Sequence, residues 1–179
     1  MNIFYLHNDP KTCAEMHVDK HCVKMILEYA QLLSTAHRVI DGTISVGLSA
    51  SGRKKTSYVF MDKRESVLYS ATHINHPSAI WVRQSEQNYR WLFTLFCELL
   101  DEYTYRYGKT HATSRLLTVL ARPPKNIPMD VRFTEPTPAM PDQYKVAGDS
   151  IKSYHNYYLG DKTRMFSWKN RPQPSFVTK

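Results

Sequence analysis

Between residues 17 and 38 polar and apolar side chains recur at a spacing that a helix reconciles. At about 100° per residue, His17, Lys20, His21, Lys24, Glu28, Gln31, Thr35 and Arg38 share one stripe, roughly 100° wide. Val18, Cys22, Met25, Ile26, Tyr29, Leu32, Leu33 and Ala36 fill the neighbouring arc, and one apolar face is enough to dock a helix. Upstream, Asp9 and Pro10 read as N-cap and first helical residue, with Thr12 and Glu15 as a capping-box alternative. The pattern predicts a helix from about residue 10 to 39, kinked or broken along its length and stopped at Asp41-Gly42. Residues 3 to 6 read as a short extended segment.

Farther along, residues 42 to 57 are rich in Gly and Ser, hold Arg53-Lys54-Lys55, and read as a flexible basic loop. A second helical segment is expected over 58 to 74, ended by Asn75-His76-Pro77, with a short helix begun by Pro77. Ser85 is a good N-cap for a helix to about Tyr107, whose Tyr89, Leu92, Phe93, Phe96, Leu99, Leu100 and Tyr103 recur at helical spacing. Glu102 and Arg106 stand four apart on it and can pair. Further helices are read over about 114 to 121 and 149 to 158. Between them, residues 123 to 148 carry six of the ten prolines and read as an irregular crossing loop. No alternating strand pattern emerges. The expected fold is mainly α: one compact domain over residues 1 to 179, a helical bundle with a long Pro-rich loop.

Charge changes the picture. A net charge of +8 and a pI near 9.4 attract polyanions, of which nucleic acid is the commonest inside cells. Twelve Tyr, seven Phe and three Trp supply flat surfaces that can stack on bases, although most belong in a core. Cys13, Cys22 and Cys97 lack metal-ligand spacing, and their odd number argues against a disulfide framework. Reduced thiols fit a cytoplasmic setting. No apolar run is long enough for a membrane span or a signal peptide. Double-stranded DNA is the expected partner, with no membrane, a monomeric state, no cofactor and no metal.

The chemistry concentrates on the polar stripe. His17 and His21 have the i, i+4 spacing of zinc helices, but Val18 stands where the zincin glutamate belongs and no third ligand is evident. These imidazoles are read instead as facing phosphate. Glu28 is a lone carboxylate beside Lys24 and His21, suited to act as a base or to stabilise a developing sugar cation. It reads equally well as half of a surface Lys24–Glu28 pair. Asn75, His76, Trp81 and Arg83 gather around a rigid turn, where Trp81 is either a stacking residue or core. Trp168-Lys169-Asn170-Arg171 is either a DNA-facing tail or a packed C-terminus.

The run Asp19-Lys20-His21-Cys22-Val23-Lys24-Met25-Ile26-Leu27-Glu28 resembles the first helix of the pyrimidine-dimer DNA glycosylases, the phage endonuclease V-type enzymes and their relatives. Gln31 and the His76-Pro77 turn leading to Trp81 extend the resemblance, and the whole chain resembles phage-encoded proteins of this kind, which would place it in a host cytoplasm. The resemblance implies a helical fold that binds duplex DNA, extrudes a base, attacks C1′ with an amine and cleaves the strand by β-elimination. It implies Glu28 as catalytic carboxylate, with Lys24, His21 and Arg83 holding phosphate or leaving group. His17, Gln31, Asn75 and His76 would line the pocket, and Trp81 would stack or wedge. Lys20, Arg38, Lys54, Trp168, Lys169 and Arg171 would contact DNA. One departure stands out. The attacking amine of the family belongs to a small residue exposed by loss of Met, whereas Asn2 is large, so Met1 is expected to stay. Lys24 or the Met1 amine would have to substitute. Two other functions share these residues: a phage transferase attaching an amino acid or amine to activated 5-hydroxymethyluracil, and a non-catalytic DNA-binding protein.

Overall fold

The computed structural model describes residues 1–178. Helix α1 (Pro10–Met16) opens as expected, with Asp9 accepting from the Thr12 amide at 2.9 Å and Pro10 in the first turn. The long helix is broken rather than kinked: His17 and Val18 are extended, and α2 runs from Asp19 to Asp41. The break has a tertiary cause. Carbonyls at Glu15 and His17 accept from the Arg106 guanidinium, so they need no helical donor. Gly42 ends α2 with an ordinary negative φ.

Residues expected to form a flexible loop make a β-hairpin instead, β1 (Thr43–Leu48) antiparallel to β2 (Lys54–Val59), in register Ile44 to Tyr58 and Leu48 to Lys54. The segment Thr-Ile-Ser-Val-Gly-Leu does alternate, a strand signal masked by the surrounding Gly and Ser. Of the helix expected over 58 to 74, only α3 (Arg64–Val67) forms. The chain there wraps over Arg38, whose guanidinium takes the carbonyls of Tyr58, Glu65, Leu68 and Tyr69 and the Glu65 carboxylate.

Helix α4 (Pro77–Gln84) is capped by the His76 ring, and α5 (Glu86–Tyr107) by Ser85. Gly108 closes α5 in the left-handed region, at φ 63°. A 3-10 turn (Ala112–Leu116) leads into α6 (Leu117–Leu120). The Pro-rich stretch that follows is irregular apart from one 3-10 turn (Asp142–Tyr144). Helix α7 (Ser150–Tyr157) continues into a π-helical turn over Tyr158–Lys162.

The fold is mainly α. Helix α5 packs on α1, α2 and α4, and α4 also packs on α2. The core holds Met25, Ile26, Tyr29, Leu32 and Leu33 of α2 and Tyr89, Leu92, Leu95, Phe96 and Leu99 of α5. Ile3, Phe4, Tyr5 and Leu6 thread into that core as extended chain, pinned by the Phe4 amide on the Tyr29 hydroxyl at 3.2 Å. Among the described residues, no helix is long and apolar enough to cross a membrane.

Candidate active site

The buried N-terminal segment delivers the chain start to the middle of α2. The Met1 nitrogen lies 3.7 Å from Glu28 Oε2, while Lys24 Nζ lies 3.1 Å from Oε1. Glu28 is thus a mostly buried carboxylate between two ammonium groups, one of which is itself buried and the other exposed. A polar cavity of about 190 Å³ opens here, lined by Met1, Asn2, His21, Lys24, Glu28 and Lys162 among others. Phe4 and Tyr157 wall it. His76 is within electrostatic reach of both Met1 and Glu28.

His21 enters the site differently from expectation. Its ring stacks on Phe4 with centroids 4.1 Å apart, and Nδ1 sits 2.7 Å from the Tyr158 hydroxyl. Burial, reinforced by the nearby His17, Lys162 and Lys24, pulls its pKa down to about 3. It is therefore neutral at pH 7 and cannot attract phosphate as a cation. Burial and neighbouring cationic groups likewise lower His76, against the pull of Glu28. With its Nδ1 accepting from the Ser78 amide, that ring carries its proton on Nε2.

His17 is no pocket residue. It is fully buried, with Nδ1 2.7 Å from the Cys13 carbonyl and Nε2 3.0 Å from the Tyr29 hydroxyl. Both ring nitrogens are occupied, so the helical His17–His21 spacing makes no metal pair. Tyr29 also accepts from the Phe4 amide, so its proton goes to His17 Nε2 and Nδ1–H donates to Cys13. Burial drops the His17 pKa to about 4. The ring is a brace for the segment that places Met1.

Several expected DNA contacts are structural. Arg38 is buried under the hairpin root, as described above. Trp81 is core, its indole N–H donating to the Thr134 carbonyl at 2.9 Å, and it cannot stack on or wedge into DNA. Arg83 braces the turn before α4 through the Ile74 carbonyl at 2.8 Å, and burial lowers its pKa. Trp168 is buried and donates to the Met16 carbonyl. Arg171 pairs with Glu102 and Glu15 and lies over the Tyr105 ring. Of the C-terminal tail, Lys169 keeps an exposed ammonium, 5.3 Å from the Tyr107 ring centre. Lys20, Lys54 and Asn75 are exposed, and Gln31 is half-buried three residues beyond Glu28.

Asp19, nine residues before Glu28, is a structural hub: it receives Arg106, the Ser167 hydroxyl and the Lys169 amide. Burial pushes its pKa up, but these hydrogen bonds outweigh that and hold it below the usual carboxylate range.

Besides Phe4, two site residues from the far end of the chain, Tyr157 and Lys162, escaped the sequence reading. Lys162 Nζ lies 4.3 Å from the centre of the Tyr157 ring, a cation–π contact at the rim of the cavity. Both come from the last helix and its π turn, more than 125 residues after Glu28. Tyr157 and Tyr158, followed one helical turn later by Lys162, were the one available signal. Compared with known protein families, curated proteins and solved structures, the chain matches none.

Proposed function

We propose that this protein is a DNA-acting enzyme that removes an extruded pyrimidine by cleaving its N-glycosidic bond, on a helical bundle of the pyrimidine-dimer glycosylase type. The observation that carries the reading is the Met1 nitrogen 3.7 Å from Glu28 Oε2, beside a cavity rimmed by Lys24 and Lys162. Of the two substitutes the sequence left open, Lys24 and the Met1 amine, this reading takes the Met1 amine as the attacking group.

In this mechanism the amine nitrogen bonds to C1′ as the C1′–base bond breaks. The electron pair leaves with the base, which takes a proton from solvent water, and Glu28 stabilises the cationic sugar in the transition state. Glu28 then takes a proton from the amine nitrogen and passes it to O4′ as the C1′–O4′ bond opens, leaving a protonated imine; loss of a C2′ proton then expels the 3′-phosphate and cuts the strand. Neutral His21 and His76 act as hydrogen-bond groups for the base. Lys24 and Lys162 hold the flanking phosphates.

The test is incubation with duplexes carrying thymine, a thymine dimer or hydroxymethyluracil, followed by mass spectrometry and borohydride trapping. Loss of a base and a trapped adduct at the Met1 peptide support the proposal; an adduct at Lys24 moves the nucleophile to that side chain. Binding without any change in mass overturns catalysis and leaves a DNA-binding protein. The three ammonium groups around a small polar cavity also favour a second reading, displacement of pyrophosphate from an activated base methylene by an added amine. A mass gain on pyrophosphorylated hydroxymethyluracil in the same assay would identify it.

A further inference from the structure

The hairpin has a face that nothing in the fold uses. Ile44, Val46 and Leu48 point the same way along β1, are paired with Tyr58, Thr56 and Lys54, and are 62%, 57% and 76% exposed. Three adjacent aliphatic side chains open to solvent on a free-standing two-stranded ribbon are an association signal. At the tip stand Arg53, Lys54 and Lys55, all exposed. Between the ribbon and the segment leading to α4 lies a cleft of about 300 Å³ of mixed character, lined by Lys55, Tyr58, Val59, Thr72, His73 and Ile74 among others. That segment runs on to His76, whose ring feels the charges of Met1 and Glu28.

From this we infer that the β1–β2 hairpin is an arm that lies in the major groove of duplex DNA, with Ile44, Val46 and Leu48 against base edges and Arg53, Lys54 and Lys55 on the phosphates. The dimensions agree. Six residues of strand reach roughly 20 Å, and the ribbon root at Arg38 is about 15 Å along α2 from Glu28. One turn of duplex is about 34 Å, so the arm engages DNA on the same stretch whose base enters the site. A major groove admits a two-stranded ribbon, and its apolar feature is the thymine methyl, which suits aliphatic side chains. The tip cations complement the phosphate charge. A membrane would take a similar apolar and basic surface, but the arm is rooted on Arg38 of α2, the helix that carries Glu28, which favours DNA.

This inference rests on the proposed action on DNA, and the experiment separates the two. Fluorescence anisotropy at fixed salt compares thymine-containing duplexes with otherwise identical duplexes in which uracil removes the methyl groups. The proteins are wild type, Val46→Ser/Leu48→Ser, Arg53→Ser/Lys54→Ser and Lys20→Ser/Lys24→Ser, each checked for native circular dichroism. The aliphatic variant is expected to bind the thymine duplex about tenfold more weakly than wild type, and to lose most of the wild type's preference for thymine over uracil. The tip variant is expected to bind both duplexes more weakly with a shallower salt dependence. If the hairpin variants bind like wild type while the Lys20/Lys24 variant is weakened, the arm is wrong and the DNA reading survives. If wild type ignores DNA and binds phosphatidylserine vesicles through the hairpin, both fall.

Discussion

A carboxylate wedged between an α-amine and a lysine is either a weak ion pair or a catalytic group, and chemistry at single residues separates the two. Because Lys24 is exposed, solvent screens its pairing with Glu28 to about 1 kcal/mol at most, so Glu28→Gln is expected to leave the thermal midpoint within a few degrees of wild type. Under the proposed mechanism the same change lowers turnover on DNA by about a hundredfold or more while duplex affinity is kept. Single-turnover kinetics and anisotropy on one preparation test both halves, and unchanged turnover would return Glu28 to the surface pairs. Arg106 is the opposite case. Its buried guanidinium serves Glu102, Asp19 and the carbonyls of Glu15 and His17 at once. Arg106→Met leaves the buried Glu102 with Arg171 as its one remaining cation among the described residues and deprives the Glu15 and His17 carbonyls of their donor, and should cost about 3–5 kcal/mol, read from urea midpoints. Arg106 was legible in the sequence as a partner for Glu102 along α5. Its reach to the α1–α2 junction, more than 85 residues away, was not.

Elements differ in how much local sequence decides them. The caps at Asp9 and Ser85 and the glycine stop of α5 act within a few residues, which is why α1 begins, and α5 begins and ends, where the sequence places them; the end of α1 at Met16 is set by tertiary contacts. Gly108→Ala forces a Cβ into the left-handed region and should cost about 1 kcal/mol, seen as a thermal shift with activity intact. The π turn is set by packing instead. A Cβ at Gly160 would overlap the Tyr144 ring, so Gly160→Ala must displace either the ring or the turn that carries Lys162. Its expected signature is a raised KM for DNA together with a lower thermal midpoint. A variant with unchanged KM would remove Lys162 from the site. The hairpin and the shortened α3 belong to the same class, since Arg38 collects the carbonyls that a continued helix would have used.

At the scale of the whole molecule, three buried imidazoles set the response to acid. Burial lowers His17 and His37 to about 4 and His21 to about 3, all from an unfolded value near 6.5. His37 is held neutral by its place in the core, donating from Nε2 to the Tyr89 hydroxyl, which in turn donates to the Leu120 carbonyl. A depressed histidine pKa means that the unfolded chain binds protons the folded one refuses. Stability is therefore full above about pH 6.5 and falls as pH drops toward 4, by about 1.4 kcal/mol per pH unit for each imidazole. Urea midpoints at pH 7, 6 and 5 should fall steeply, by an amount matching two to three protons taken up on unfolding. A flat profile over that range would mean that these rings are not buried neutral.

The sequence by itself determined the mainly α character, the caps and the identity of the Lys24–Glu28 stripe, because helical period, caps and turn residues act between near neighbours. It could not decide which members of that stripe face solvent. His17 left the stripe once the helix broke, Arg38 was drawn under the hairpin, and Trp81 and Trp168 found carbonyl acceptors inside the fold. Only the tertiary structure brought Met1, Tyr157 and Lys162 to Glu28. Those approaches rest on burying an N-terminal apolar segment and docking a C-terminal helix, and the free energy of such contacts depends on surfaces that no local pattern records.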